Sequence, residues 1–336
     1  MSILIVRLGS LGDLVHTLPA VAAIRRSHPD TQIDWLVEAP HRGFLDLVPI
    51  LNDIVVLRDR TARAWLEARA ALRSRHYDIA LDFQGLLKSA ALARLSGASR
   101  VVGFDRAALR ERTATPFYTE QVAVGEGRHV IEKNLRLAAA VGARTDELEF
   151  PIAPVSSAAA DNVVAADPTP FVLINCGAAW PNKRWPPDRF GRLAGLIRSR
   201  HGLRSLVLWG PGEEALAEAV VQASGGAATA APATDLKDIV AMSRLARLMI
   251  SGDTGPTHIA AAVGTPIVAI FGPTNPLRNG PWRTEDVTLA RYDRCDCHYE
   301  RVCRRSGENW CLTSVTVDEV AGAVAARLEQ ADAHHR

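Results

Sequence analysis

The segment Ser251-Gly-Asp-Thr-Gly-Pro-Thr-His258 has the composition of an anion-binding turn. The apolar run Leu248-Met-Ile enters it, and Pro256 stands where a first helical residue belongs. At such a strand-to-helix turn the backbone N–H groups point past the strand, and the helix dipole adds positive charge. The turn therefore suits a diphosphate, with Asp253, Gly255 and Pro256 shaping it and Thr254 and Thr257 offering hydroxyls. His258 closes the segment and reads either as a phosphate contact or as a packing residue. By spacing alone the same residues also fit an ordinary βα turn capped by Asp253.

Two further segments carry complementary groups. Lys183 and Arg184, in WPNKRWPP, follow the apolar run FVLINCG. They would offset charge growing on a departing phosphate, or else stand as exposed loop charges. GPGEEA at 210–215 mimics a dinucleotide fingerprint, which makes an NAD(P)-dependent enzyme a rival reading. Glu213 and Glu214, however, occupy the helix turn where a pyrophosphate would lie, and like charges repel. A carboxylate there suits ribose hydroxyls, or serves as a first-turn helix residue.

Near the start, Gly9-Ser10-Leu-Gly-Asp13 ends one apolar run and opens a helix. Asp13 reads either as a general base for an acceptor hydroxyl or as a helix cap. His16, one turn on, is a rival base. Arginines cluster at Arg58, Arg60, Arg63, Arg69, Arg73 and Arg75, and again at Arg106, Arg110 and Arg112. Together with Ser10 they suit an anionic acceptor, since guanidinium forks match phosphate and carboxylate; singly they fit a solvated surface.

Cys295, Cys297, Cys303 and Cys311 form C-x-C-x5-C-x7-C, four soft ligands that suit a tetrahedral zinc or iron site with a structural role. Four reduced thiols in a loop are the alternative. Cys176 reads as a small core residue.

The elements that must position these groups alternate in type. Strands are expected at 3–8, 33–38, 53–57 and 78–83, with helices at 14–26 and about 62–75. The stretch 153–168, poor in large apolar residues and bounded by prolines, suits a linker. The pattern then restarts with strands at 171–177, 205–210, 247–253 and 266–272, and helices from about 187, 213 and 256 and near 317–330. This is an α/β chain of two doubly wound, Rossmann-like domains, 1–160 for the acceptor and 161–336 for the donor, with Asp13 facing a cleft between them.

The chain has 336 residues, 48% of them hydrophobic, enough to bury two sizeable cores. Net charge is +2, which implies no general affinity for nucleic acid. Nothing reaches membrane-spanning length, and the N-terminal apolar run is broken by Arg7, Asp13 and His16, so a cytoplasmic protein is expected.

In order, VRLGSLGDLVHTLPA, IDWLVE, DFQGLLKSA, KRWP and SGDTGPTHIAAAVGTPIVAIFGPTNP resemble the bacterial ADP-heptose:lipopolysaccharide heptosyltransferase family, most of all its heptosyltransferase I branch. The resemblance spans nearly the whole chain. It implies a GT-B fold and a metal-independent, inverting transfer of a heptose or related sugar from an ADP-sugar to an anionic lipid-linked glycan such as a lipopolysaccharide inner core. It also implies peripheral contact with the cytoplasmic face of the inner membrane. Asp13 would be the base, Lys183 a phosphate contact, Glu213 (or Glu214) the ribose contact, and Asp253-Thr254-Gly255 the grip on the donor's diphosphate and sugar end. Cysteine-rich tails recur in the family, and some related autotransporter heptosyltransferases bind iron there. One departure is Ala178-Ala179-Trp180, where relatives tend to carry hydroxyl residues, which leaves the acceptor and the sugar open. Family members with another nucleotide sugar or acceptor, and a binding protein without catalysis, are the alternatives.

Overall fold

The computed structural model describes residues 1–304 and 309–334. The chain divides into two compact units, Met1–Ala153 and Pro154–Arg336. The first holds six strands: β1 Ser2–Val6, β2 Gln32–Glu38, β3 Asp53–Leu57, β4 Ile79–Asp82, β5 Arg100–Phe104 and β6 Glu120–Val122. They pair in the order β3-β2-β1-β4-β5-β6, every pair parallel. The second repeats the plan with β7 Phe171–Asn175, β8 Arg204–Leu208, β9 Ala228–Ala230, β10 Met249–Ser251, β11 Ile267–Phe271 and β12 Val287–Ala290. Their order is β12-β11-β10-β7-β8-β9, again all parallel.

The central strands are continuous apolar runs because helices cover both faces of a parallel sheet. Ile3 to Val6, Val172 to Ile174 and Ile267 to Phe271 are all essentially inaccessible to water. In each unit the chain winds outward from the first strand, returns, and winds to the other side. The chain therefore leaves β1 and β4 toward opposite sides of their sheet, and likewise β7 and β10, while the strand ends themselves lie side by side. These are the switch points where doubly wound sheets bind ligands.

The stretch expected to be a linker is in part a helix, Ala158–Ala166. Alanine favours helix, and the Ser157 hydroxyl caps it by accepting from Ala160 N. Ser157 Oγ also donates to Asp238 Oδ1 at 2.6 Å, and Arg204 Nη2 donates to the carbonyls of Val163 and Asp167. The helix thereby belongs to the second unit, and the boundary falls at 153/154, ahead of the expected break after 160. The closing helix, Val317–His334, packs on the helix Pro187–His201 and on β11. Among the described residues no helix is long and apolar enough to cross a membrane.

Candidate functional site

In the first unit the switch-point loops converge on Asp13. Ser10 is the N-cap of the helix Leu11–Ser27, and Asp13 is the third residue inside it, not the cap itself. Asp13 Oδ2 accepts from Ser10 N at 3.2 Å and from Ser10 Oγ at 3.1 Å, a capping-box arrangement. Its other oxygen lies 2.6 Å from Arg7 Nη2. Arg7 is buried, and its Nη1 also donates to Phe83 O, so the ion pair ties the loop after β1 to the end of β4. The Asp13 side chain keeps 27% of its surface exposed, which leaves it open to a substrate hydroxyl.

His41 stands beside this loop. A Cβ on Gly9 would lie 2.6 Å from His41 Nε2, so only glycine lets the imidazole seat there. Burial lowers the His41 pKa, and the charges of Glu38 and Asp13 partly offset that. Glu38, the last residue of β2, pairs with Lys88 at 2.5 Å. His16, the rival base, is buried and meets His129 edge-on with ring centroids 5.6 Å apart, so it serves packing.

The arginines separate into two groups. Arg63 is exposed and pairs with Glu67 one turn on, Arg58 approaches the same carboxylate, and Arg75 pairs with Asp53. Arg60 and Arg110 are exposed. Arg106 and Arg112 instead line a cavity of about 480 Å³ with Thr113, Thr115, Tyr118 and Gln121. Tyr118 donates to the buried Asp82 at 2.7 Å, which fixes that wall.

In the second unit, β7 and β10 are neighbours, so the loops that follow them meet. Lys183 Nζ lies 2.6 Å from Asp253 Oδ2, and His258 Nε2 lies 3.2 Å from Asp253 Oδ1. All three side chains are largely buried. Burial alone would raise the Asp253 pKa. The hydrogen bond and charge of His258, with Lys183 beside it, more than reverse this and hold the carboxyl well below the usual range. His258, expected to contact phosphate or to pack, is thus bound to the acid. Asp253 is not the helix cap either; Thr254 holds that position ahead of the helix Gly255–Ala262.

The two threonine hydroxyls, expected to face a diphosphate, are consumed inside the turn. Thr257 Oγ1 donates to Gly252 O at 2.7 Å and lies 2.9 Å from Thr254 Oγ1. Thr254 Oγ1 accepts from Asn175 Nδ2 at 3.1 Å. They shape the turn, and its anion-binding capacity rests on first-turn N–H groups such as those of Gly255 and Thr257, which precede the helix's own ladder. Pro256, the second residue of that helix, has no N–H to leave unpaired.

Glu213, at the end of the loop after β8, caps the helix Glu214–Ala223, and its Oε2 accepts from Gly210 N at 3.0 Å. It folds back against Gly177, where a Cβ would stand only 1.9 Å from Oε2. Arg184 Nη2 is 3.5 Å from Glu213 Oε1, and Arg184 Nε donates to Ala178 O. Glu214 is exposed on the helix, whereas Glu213 is half-buried against the loops. The thiol of Cys176, buried as expected, is pushed up to about 11 by that burial.

Cys295, Cys297 and Cys311 are buried and Cys303 is half-buried; none of the four is in a disulfide, and all pack in one hydrophobic cluster. Arg7, His41 and Asn182 are the residues that sequence reasoning passed over. A lone arginine closing an apolar strand was the legible signal for Arg7.

Comparison with known proteins agrees over most of the chain. The model of glycosyltransferase family 9 (heptosyltransferase) matches residues 65–307. Lipopolysaccharide heptosyltransferase 1 of Pseudomonas aeruginosa is 31% identical over 321 residues, 90% of this chain and 87% of that protein. The solved structure of E. coli heptosyltransferase WaaC with ADP aligns with TM-score 0.76 at 26% identity, covering 98% of this chain and 99% of that one. The same enzyme with ADP-2-deoxy-2-fluoro heptose aligns with TM-score 0.74 at 25% identity, covering 97% and 99%.

Proposed function

The chain belongs to glycosyltransferase family 9, the heptosyltransferases, and on that premise we propose that it transfers a heptose from ADP-heptose to the inner core of lipopolysaccharide. It is a glycosyltransferase on the two-domain GT-B plan. The observation that carries the donor assignment is the Lys183–Asp253–His258 array at the switch point of the second sheet. A cation held beside a helix N-terminus suits the diphosphate of a nucleotide sugar. WaaC has been solved with ADP and with an ADP-heptose analogue, which supports ADP as the nucleotide.

Asp13 supplies the base. Arg7 and Ser10 hold its carboxylate from two sides, so it meets an acceptor hydroxyl in one orientation. The hydroxyl oxygen attacks the anomeric carbon, its proton passes to Asp13, and the bond to the diphosphate breaks. Such a single displacement inverts the anomeric configuration. Charge builds on ADP as it leaves, and Lys183 with the turn at 252–257 stabilises it without a catalytic metal. Glu213 receives the ribose hydroxyls. The cavity lined by Arg106 and Arg112, together with exposed Arg60 and Arg110, offers cations to an anionic acceptor. The reaction takes place in the cytoplasm, with the protein peripheral to the inner membrane that carries the acceptor.

The test is a transfer assay with ADP-heptose and heptose-free inner-core lipopolysaccharide in the presence of a chelator. One heptose should be added and ADP released, and NMR of the product should report inversion. A parallel thermal-shift screen of ADP-, GDP-, UDP- and dTDP-sugars should show selective stabilisation by the ADP sugar. Stabilisation by a different nucleotide alone, or donor binding with no transfer, would overturn the assignment.

A further inference from the structure

The half-buried ring of Trp180 gathers two cations. Trp180 starts the single turn of 3-10 helix Pro181–Lys183, and Lys183 N donates to Trp180 O at 3.0 Å. Side chains three apart on such a turn eclipse, so Lys183 faces the residue that opens it. Lys183 Nζ lies 4.7 Å from the Trp180 ring centre, and the Arg301 guanidinium lies 5.4 Å from the same centre. Arg301 comes from far along the chain, and the two residues before it fix its approach. Tyr299 N donates to Pro273 O at 2.9 Å, and the buried Asn182 donates through Nδ2 to Glu300 O at 2.7 Å. The loop that carries the ring lies against the turn at 252–257, since a Cβ on Gly252 would stand 3.0 Å from Lys183 O.

The charge around this ring is uneven. Lys183 is matched by Asp253 and Arg184 approaches Glu213, so these two pairs bring little net positive charge to a diphosphate. Arg304, three residues beyond Arg301, is matched by Glu300 at 2.6 Å. Arg301 is exposed, and among the described residues no carboxylate pairs with it. An exposed arginine is ordinarily just a solvated charge. Arg301 differs because it shares an aromatic ring with a second cation. The two are no farther apart than the distance over which dilute salt screens charge, about 10 Å, so they repel until an anion joins them. A guanidinium on an aromatic ring can keep its N–H fork free for a bidentate bond to phosphate.

We propose that Arg301 is a donor-binding residue that pairs with the diphosphate of the nucleotide sugar, and that Trp180 is the positioning residue whose ring sets Arg301 beside Lys183. Neither residue makes or breaks a covalent bond. The departing diphosphate meets one cation already matched by Asp253 and one that is unmatched, and the unmatched one supplies net positive charge. The inference rests on the donor reading given above and adds to it a group from outside both strand-to-helix turns.

Calorimetry on the full chain with ADP tests it. Arg301→Ala should bind ADP about tenfold more weakly at an unchanged melting temperature, and Arg301→Lys should recover part of the loss. Inorganic pyrophosphate should compete with ADP less well in Arg301→Ala, relative to adenosine, than in the wild type. Wild-type affinity should also fall more steeply with salt than that of Arg301→Ala. Trp180→Leu should lose at least as much as Arg301→Ala, Trp180→Phe should restore most of it, and adding Arg301→Ala to Trp180→Leu should cost little more. Equal ADP affinity in Arg301→Ala and wild type, or a loss that adenosine shares in full, overturns the assignment of Arg301. Full additivity of Trp180→Leu and Arg301→Ala overturns the role of the ring. A wild-type chain that binds neither ADP nor pyrophosphate refutes the donor reading itself, whereas a wild type that binds both beside an indifferent Arg301→Ala refutes only this inference.

Discussion

Lys183 Nζ stands 2.6 Å from Asp253 Oδ2 although the two residues are 70 positions apart in sequence. Lys183 is therefore part of a fixed array, held for the phosphate before any donor arrives. Pre-set charge of this kind costs no reorganisation during the reaction. Lys183→Ala should lower kcat/KM for the donor by about 10²- to 10³-fold in steady-state assays. It should also destabilise the fold by about 3 kcal/mol in denaturant titrations, because Asp253 stays buried with one partner fewer. Unchanged turnover would remove Lys183 from the chemistry.

Asp253 sets a pH dependence. Its folded pKa lies below the unfolded value of about 3.9, so its contribution to stability is present above that value and is lost as pH falls through the folded one. The stability gap between wild type and Asp253→Asn should therefore stay constant from pH 7 to about 5 and shrink only below about pH 4. A gap that closes between pH 7 and 5 would contradict the ion-pair account.

Asp13→Asn should reduce turnover by about 10²- to 10⁴-fold while ADP binding measured by calorimetry is unchanged, since the base acts on the acceptor. Arg7→Met should cost about 10²-fold in kcat, because Asp13 loses the partner that orients it. Arg7→Lys should recover part of the loss.

Gly9→Ala should drive His41 from its seat, because the new Cβ would overlap the imidazole edge. We expect roughly a tenfold fall in kcat with donor affinity intact. In a His41→Ala background the Gly9→Ala change should cost little more, and additive losses would show that the two do not act through one contact.

Gly177→Ala should displace Glu213 in the same way. ADP should bind about tenfold more weakly to it and to Glu213→Gln, and the double variant should bind no more weakly than either single one. Strong additivity would place Glu213 away from the nucleotide.

Where side chain and neighbours are close in sequence, the site was legible. The turn at 251–258 and the loop at 9–13 are short strand-to-helix junctions, and their Gly, Pro, Ser and Asp residues follow from local backbone demands. The helix Ala158–Ala166 was missed because its alanines carry little apolar periodicity, and its anchors, Asp238 and Arg204, lie far along the chain. The partners of Thr254 and Thr257 are hidden for a related reason. A hydroxyl offered to a ligand and one consumed by Asn175 or Gly252 look alike in a sequence.

The sequence by itself determined the two rounds of alternating strands and helices, the parallel sheets, the position of each glycine-rich turn and the family. These depend on apolar periodicity and local turn chemistry, which neighbouring residues carry. Only the tertiary structure decided that Lys183 pairs with Asp253 and His258, that Arg7 holds Asp13, and that the cysteine segment backs Asn182. Each pairing exists because strand order brings two loop ends together or because a later segment folds back over an earlier one. Such adjacency comes from packing whole elements on a sheet, so the spacing within any one motif does not contain it.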